Sequence, residues 1–366
     1  MISEQENWSV DVLETEMSGE ASPEDKILIR VMFGRLRRIL NWNPGDADEE
    51  ILFDRSRGPE IVWGIREHFV HWKIFACDPN NLADNVGAQH LVVYSLAKLC
   101  LFYWIKDSAL VAEVLQHVYD CDGHFSSMFS HVVNAPNRNT MWPLLASNPD
   151  AKEMQHLCMM FFLSHAHRMK LLFDGRRFVD VRLRFPIRVP PTFVAAIYNK
   201  PRMLLMLLRY GASLESISTL GVFGDDWDLW MLLRHLVRIL WSSLGPDVDA
   251  WNTAVVSSIV SDAWECLRIL LRTVRQIPKD ELNFTLMNFN AGGITTSRNS
   301  HELITNLSER GILPQIVSRY LEPSGLKHLC RCRIRESLNR SWNLPFGIQT
   351  LPIPKLIKSY VDLLED

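Results

Sequence analysis

The residues best suited to chemistry lie in two short segments. Asp120-Cys121-Asp122-Gly123-His124 offers calcium ligands, but an EF-hand loop places its glycine at position six, whereas Gly123 comes at position four. His165 and His167, with Cys158, are zinc-ligand types, but no second Cys or His cluster completes a tetrahedral set at a familiar spacing. We therefore predict that the protein has no metal and no cofactor.

Motifs for common catalytic chemistry are missing from the sequence. It contains no phosphate-binding G-x-x-x-x-G-K-[ST], no dinucleotide-binding G-x-G-x-x-G and no nucleophile elbow G-x-S-x-G. We predict no catalytic residue and a protein that is not an enzyme.

Composition and charge narrow the class of protein. The 366 residues carry 39 Lys and Arg against 42 Asp and Glu, a net charge of −3, without the basic excess typical of nucleic-acid-binding proteins. The most apolar stretch, Leu91 to Ile105, is interrupted by Lys98 and is shorter than the roughly 20 residues that span a bilayer. We predict no nucleic-acid partner and no membrane span.

The cysteines and the N-terminus indicate the compartment. The cysteines are odd in number and scattered, without a C-x-x-C pair, which is typical of reduced thiols; they are residues 77, 100, 121, 158, 266, 330 and 332. The first 25 residues carry eight acidic and no basic side chains, unlike a signal peptide. We expect a cytoplasmic or nuclear protein.

The chain pattern predicts an all-α protein with four regions. Residues 1–21 are predicted to be a disordered acidic arm, 22–140 an N-terminal helical region, 150–315 a repeat region and 321–366 a C-terminal module. Helices are predicted from Pro23, from Gln89 to Leu101 and from Ala109 to Tyr119.

A recurring pattern suggests stacked helical repeats. Leu171-Leu172 precedes Gly175, and Leu207-Leu208 precedes Gly211, 36 residues later. We predict that both segments are helices that end at a left-handed glycine. A recurrence near 33 residues is typical of a stacked repeat. Between them, Val179 to Phe185 alternates apolar and polar residues and is predicted to be a short extended finger.

The second of these segments resembles an ankyrin repeat. The residues that carry the resemblance are Pro191, Val194, Ala195, Ala196, Leu207, Leu208, Gly211 and Ala212. Asn199 stands where that family has glycine, and asparagine tolerates a left-handed turn. Thr192 and Phe193 replace the usual Leu-His, so the repeat is degenerate. A weaker echo lies between residues 257 and 273. The predicted fold is an irregular helical array with degenerate ankyrin repeats, followed by a C-terminal three-helix module.

The C-terminal module begins with an amphipathic helix. Its apolar stripe comprises Leu326, Leu329, Cys330, Ile334 and Leu338, and its opposite face carries Lys327, Arg331 and Arg335. Cys330 and Cys332, two residues apart, are predicted to point to different faces rather than to form a metal or redox pair. A turn and Leu351-Pro352-Ile353-Pro354 follow, and then a final helix from Lys355 to Leu364.

This module resembles a SOCS box, and with the ankyrin-like repeat the chain resembles the ankyrin repeat and SOCS box family. The resemblance implies that Leu326, Leu329, Cys330 and Ile334 bind elongin C, which travels with elongin B. It implies that Leu351, Pro352, Ile353 and Pro354 contact a cullin, of the cullin-five type, which brings a RING-box protein.

The implied function is the substrate-recognition subunit of a cullin–RING ubiquitin ligase, with an unidentified target protein held by the helical region. The alternative is a helical scaffold whose SOCS box serves only stability or elongin binding.

Overall fold

The computed structural model describes residues 23–40, 52–76, 82–126, 128–129, 151–184, 188–214, 232–233, 235–236, 239–240, 253–275 and 325–365. The chain divides into two compact units. The N-terminal unit comprises Met1–Met128 and Pro136–Phe178, and the C-terminal unit comprises Phe129–Ala135 and Val179–Asp366. The predicted acidic arm and the boundaries of the four predicted regions lie outside the described residues.

The N-terminal unit is built from helices α1 (Pro23–Leu40), α2 (Gly58–Ala76), α3 (Leu82–Phe102), α4 (Ser108–Asp122) and α5 (Ala151–Arg168). Helix α3 contacts α1, α2 and α4, and α4 contacts α5. Because α3 is apolar around most of its circumference, it is buried on several sides: Val92, Val93, Leu96, Ala97, Leu99 and Cys100 are inaccessible. The predicted helices from Pro23, over 89–101 and over 109–119 are confirmed. Among the described residues, no helix has the length and apolarity needed to cross a membrane.

One predicted helix end is wrong. Helix α5 ends at Arg168, and strand β1 (Leu172–Phe173) pairs antiparallel with β2 (Arg176–Arg177). Asp174 and Gly175 form the two-residue turn with φ of 49° and 72°. Asp-Gly is a preferred pair for a type I′ hairpin turn, whose twist matches that of the strands. Gly175 therefore lies in a hairpin turn, whereas Gly211, 36 residues later, lies at a helix end. The spacing between them is not a repeat of two helix ends.

The C-terminal unit begins with a second hairpin, β3 (Leu183–Arg184) with β4 (Arg188–Val189). This pairing places part of the predicted finger in extended structure. Helices α6 (Pro191–Ile197) and α7 (Pro201–Arg209) follow as a helical pair, with Asn199 in the predicted left-handed conformation at φ 50°. Gly211, at φ 80°, closes α7 as predicted.

Four further helices of this unit are described over their whole length: α8 (Thr253–Thr273), α9 (Leu326–Arg340), α10 (Gly347–Thr350) and α11 (Lys355–Val361). Helix α7 contacts α8, and α11 contacts both α9 and α10. Apart from the two short hairpins, the described chain is mostly helical, which agrees with the predicted all-α class.

Candidate functional site

An unpaired apolar row lies on the outer face of α9. The side chain of Leu326 is 77% exposed, Leu329 is 40% exposed, and Cys330 is also exposed. These three residues share one face because they are three and four positions apart. We call Leu326, Leu329 and Cys330 the outer row. Exposing two leucine side chains to water is unfavourable. An exposed group of apolar side chains of this kind is typical of a surface that binds a partner.

The inner face of α9 carries the polar side chains. His328, Arg331, Cys332 and Arg335 are the buried residues of this helix, and Arg331 is only 1% exposed. Two arginines of this helix therefore face inward while Leu326 and Leu329 face solvent, the reverse of what these residue types do on an ordinary amphipathic surface helix. Cys330 and Cys332 lie on different faces, as predicted.

Arg331 is held by the C-terminal end of α11. Its Nη1 donates to the backbone oxygen of Glu365 at 3.1 Å, and its guanidinium carbon lies 4.0 Å from the ring centroid of Tyr360. The carbonyls at a helix C-terminus carry partial negative charge, so they suit a cation. Stacking on Tyr360 adds a cation–π contact in a site largely screened from water.

Arg335 and Arg272 bind the same helix end. Arg335 donates to the backbone oxygen of Val361 at 3.1 Å and to that of Leu208, and Arg272 donates to that of Leu363 at 2.8 Å. Burial lowers the pKa of Arg335 to about 10, and the nearby Asp362 carboxylate acts in the opposite direction. The guanidinium groups donate to carbonyls at and just beyond helix ends, which have few or no partners within the helix.

Asp362 completes this arrangement. Its carboxylate, 1% exposed, receives two bonds from Arg209, from Nε at 3.0 Å and from Nη2 at 2.6 Å. Two parallel N–H···O bonds give a strong and directional contact. Arg209, Arg272, Arg331 and Arg335, which we call the arginine clamp, thus connect α7, α8 and α9 to the end of α11.

A small apolar core lies between the last three helices. It contains Leu344, Ile348, Tyr360 and Val361, with Ile334, Leu338, Ile353 and Ile357 packed against it. Ile334 and Ile353, which the sequence analysis assigned to partners, therefore also contact the chain's own core. The outer row differs from Ile334 in that its members are exposed.

The Leu351–Pro354 segment is a bend, in which Ile353 N donates to Leu351 O at 2.9 Å, between two residues with extended dihedrals. Leu351 has φ −65° and ψ 138°, and Pro354 has φ −56° and ψ 149°. Pro352 and Pro354 are exposed, while Leu351 and Ile353 are half-buried. The proline rings fix φ, so this backbone loses little entropy when it binds a partner. Leu356, 66% exposed, lies close by in sequence on α11.

The histidine and cysteine residues singled out as zinc-ligand types do not assemble. His165 Nδ1 lies 2.9 Å from Ser108 Oγ, and burial lowers its pKa to about 4. Within the described part of the chain, the only group of three or more potential ligands is His90, Cys121 and Asp122. His90 was not predicted to join that pair, since it precedes Cys121 by 31 residues in the chain.

The contacts of the four arginines of the clamp with the end of α11 were also missed. Arg331 and Arg335 were placed correctly on the face opposite the apolar stripe, but their acceptors were not foreseen. The sequence offered one indication that both arginines are buried. They are four residues apart, on one face of a helix, in a module too small for a large apolar core.

Comparison with known proteins identifies the C-terminal module. The family model of the SOCS box matches residues 322–362. No curated protein and no solved structure matches the chain. The chain therefore contains a SOCS box, and this match covers α9, which carries the outer row together with Arg331 and Arg335.

A SOCS box indicates, in general, an adaptor role in elongin B/C–cullin ubiquitin ligases. Proteins with this module are generally substrate adaptors rather than catalytic enzymes.

Proposed function

We propose that this protein is the substrate-recognition subunit of an elongin B/C–cullin–RING ubiquitin ligase. The observation that carries the proposal is the exposure of the outer row on a helix whose other face is held firmly by the chain itself. In this proposal Leu326, Leu329 and Cys330, extended by Ile334, bind elongin C. Elongin B accompanies it.

The energetics of the outer row suit a helix that enters a partner's groove. Burying one leucine side chain gains about 1.5–3 kcal/mol. The row is already presented on a formed helix, because the arginine clamp fixes the inner face. Little ordering entropy then remains to be lost when the partner binds.

The second contact in the proposal is made by Leu351, Pro352, Ile353 and Pro354, which would bind a cullin of the cullin-five type with its RING-box protein. The exposed prolines and the φ angles that their rings restrict support this assignment. The chain would perform no chemistry. It would hold a target protein close to a charged ubiquitin-conjugating enzyme, which raises the effective concentration of the acceptor lysine.

The target-binding part is proposed to be the helical region, including one degenerate ankyrin-type repeat over residues 191–212. The α6–α7 pair, its left-handed Asn199 and the closing Gly211 support that repeat. Ala195 and Ala196 are fully buried, as expected where small residues allow close helix packing.

A second candidate function is a scaffold whose SOCS box serves stability or elongin binding without recruiting a ligase. The arginine clamp favours it, because Arg335 joins α9 to the backbone of Leu208 in α7. The module thus contributes to the packing of its own unit whether or not a cullin binds.

Co-purification of the full chain from cells tests both candidates. Leu326→Asp should remove elongin C and the cullin together, because a charge in the groove would be desolvated. Ile259→Asp, at an exposed apolar position on α8, is the matched control and should retain both. Retention of elongin C by Leu326→Asp would contradict the proposed interface.

A variant of the proline segment separates the ligase from the scaffold. Leu351→Ala/Pro352→Ala should lose the cullin and keep elongin C if the protein is a ligase adaptor. A wild-type chain that binds elongin C and never the cullin would support the scaffold instead.

A further inference from the structure

A half-buried cluster of three different donor types lies between α3 and α4. His90 Nδ1 is 3.0 Å from Asp122 Oδ1 and 3.9 Å from Cys121 Sγ. All three donor atoms lie within 4.8 Å of one another. A nitrogen, a sulfur and an oxygen atom therefore converge on one point. His90 is separated from Cys121 by 31 positions in the chain and from Asp122 by 32.

These separations suit a tetrahedral zinc ion. With Zn–N and Zn–O bonds of about 2.1 Å and a Zn–S bond of about 2.3 Å, neighbouring ligand atoms stand about 3.4–3.6 Å apart. The nitrogen–oxygen separation is a few tenths of an ångström shorter, as expected of a hydrogen bond in the metal-free site, and the nitrogen–sulfur separation is slightly longer. Small side-chain rotations would accommodate the ion.

The carboxylate already has an outer partner. Tyr94, itself buried, donates its hydroxyl to Asp122 Oδ2, which leaves Oδ1 directed at His90. Hydrogen bonds of this kind orient metal-binding carboxylates and tune their affinity. The ring of Tyr94 also lies 4.4 Å from that of His90, centroid to centroid, which restricts the imidazole.

The backbone brings the two α4 ligands to the helix end. Gly123, at φ 67°, terminates α4 directly after Asp122. The C-terminal end of a helix carries partial negative charge, which favours a cation. The side chain of His90 is 33% exposed, so an ion can enter from solvent and water can fill a fourth position.

We propose that His90, Cys121 and Asp122 form a zinc(II) site that joins α3 to α4. Imidazole, thiolate and carboxylate together suit zinc better than calcium or magnesium, which prefer oxygen ligands alone. Binding releases the Cys121 thiol proton, and any proton shared between His90 and Asp122, to solvent, and no redox change occurs. This site is independent of the ligase assignment, since it lies in the N-terminal unit.

Cobalt(II) titration of the metal-stripped full chain tests the site. One equivalent should bind and produce the visible bands of tetrahedral cobalt together with thiolate-to-cobalt charge-transfer absorption, and zinc should then displace it. Cys121→Ser should abolish the charge-transfer absorption. Cys330→Ser, at an exposed cysteine in the C-terminal unit, is the matched control and should retain it.

Two conservative variants keep the test decisive if the serine variant folds poorly. Asp122→Asn should weaken zinc binding, and Tyr94→Phe should weaken it about tenfold, with unchanged helical circular dichroism. Absence of thiolate-to-cobalt absorption in the wild-type chain, or its persistence in Cys121→Ser, would overturn the proposal. In that case His90 and Asp122 form an ion pair only.

Discussion

Arg209 and Asp362 form a two-bond ion pair that joins the end of α7 to the end of α11, with Nε–Oδ1 at 3.0 Å and Nη2–Oδ2 at 2.6 Å. The two residues are 153 positions apart in the chain. The pair belongs to a wider set of arginine contacts that fixes the inner face of the SOCS box on its own unit. The outer row is thereby left facing solvent on a helix that is already in place.

Removing one partner of this pair should destabilise the C-terminal unit. Asp362→Asn would leave Arg209 without its counter-charge and would remove a negative charge that favours the charged form of Arg335, and breaking a buried pair costs about 3–5 kcal/mol. Urea unfolding of the full chain measures the change. The exposed pair of Glu336 and Arg340 supplies the control, and Arg340→Met should leave the unfolding midpoint almost unchanged.

The double variant Arg209→Met/Asp362→Leu sharpens that test. Replacing a buried ion pair by apolar side chains is often neutral, so this variant should recover most of the lost stability. A midpoint as low as that of Asp362→Asn would show that the individual hydrogen bonds, and not the uncompensated charge, dominate.

Two truncations on α9 should separate folding from binding. Ile334→Ala removes a half-buried side chain from the Leu344 and Ile348 core and should lower the free energy of unfolding by about 1–2 kcal/mol. Leu329→Ala, on the outer row, should leave unfolding unchanged and weaken elongin C binding. Equal effects of both variants on unfolding would contradict the division between the inner and outer faces.

Gly211 should not tolerate a side chain. At φ 80°, a Cβ there would stand 2.1 Å from Asn339 Oδ1, where α7 meets the SOCS box. Gly211→Ala should therefore cost at least about 1–3 kcal/mol, from the left-handed backbone and the clash together. Gly34→Ala, in the interior of α1 with open space around it, should instead stabilise the protein slightly. Thermal unfolding of both variants provides the comparison.

His165 should make the N-terminal unit sensitive to acid. Burial lowers its pKa to about 4, with Arg168 acting in the same direction and Asp107 against it. Between about pH 4 and 6.5 the unfolded chain binds the extra proton, so stability rises with pH in this window. The contribution of the buried His165 to the free energy of unfolding is fully present above about pH 6.5. It decreases as the pH falls, by about 2 kcal/mol between pH 7 and pH 5.

Chemical unfolding of His165→Gln at pH 7 and pH 5 checks this expectation. The variant should lose less stability than the wild type on acidification, whereas His68→Gln, at an exposed histidine, should behave as the wild type. Identical pH dependence in all three proteins would show that His165 titrates normally.

The sequence predicted those features that depend on local periodicity. Leu326, Leu329 and Cys330 fall on one face at helical spacing, and the structure places them together on the outside of α9. Pro23 at a helix start, Asn199 in a left-handed turn and Gly211 at a helix end were likewise readable, because each restricts its own backbone.

What could not be predicted depends on distant backbone groups. Arg331 and Arg335 can be buried because the backbone oxygens of residues 208, 361 and 365 accept hydrogen bonds from them. Every residue has a backbone carbonyl, so the sequence does not show which of them will act as acceptors. His90 was missed for a related reason, since only the packing of α3 on α4 brings it to Cys121. The helix end predicted at Gly175 is wrong because Asp174 and Gly175 favour a two-residue hairpin turn, in which both adopt a positive φ.

The proposed ligase function depends on the binding of elongin C by the outer row of the SOCS box. Titration of purified elongin B–elongin C complex into the full chain by calorimetry tests it most directly. We expect one-to-one binding by the wild type and by Ile259→Asp. Leu326→Asp should lose at least about tenfold in affinity, because it removes a buried leucine contact of more than about 1.4 kcal/mol. Equal affinity of all three proteins, or no binding by a folded wild-type chain, would contradict it.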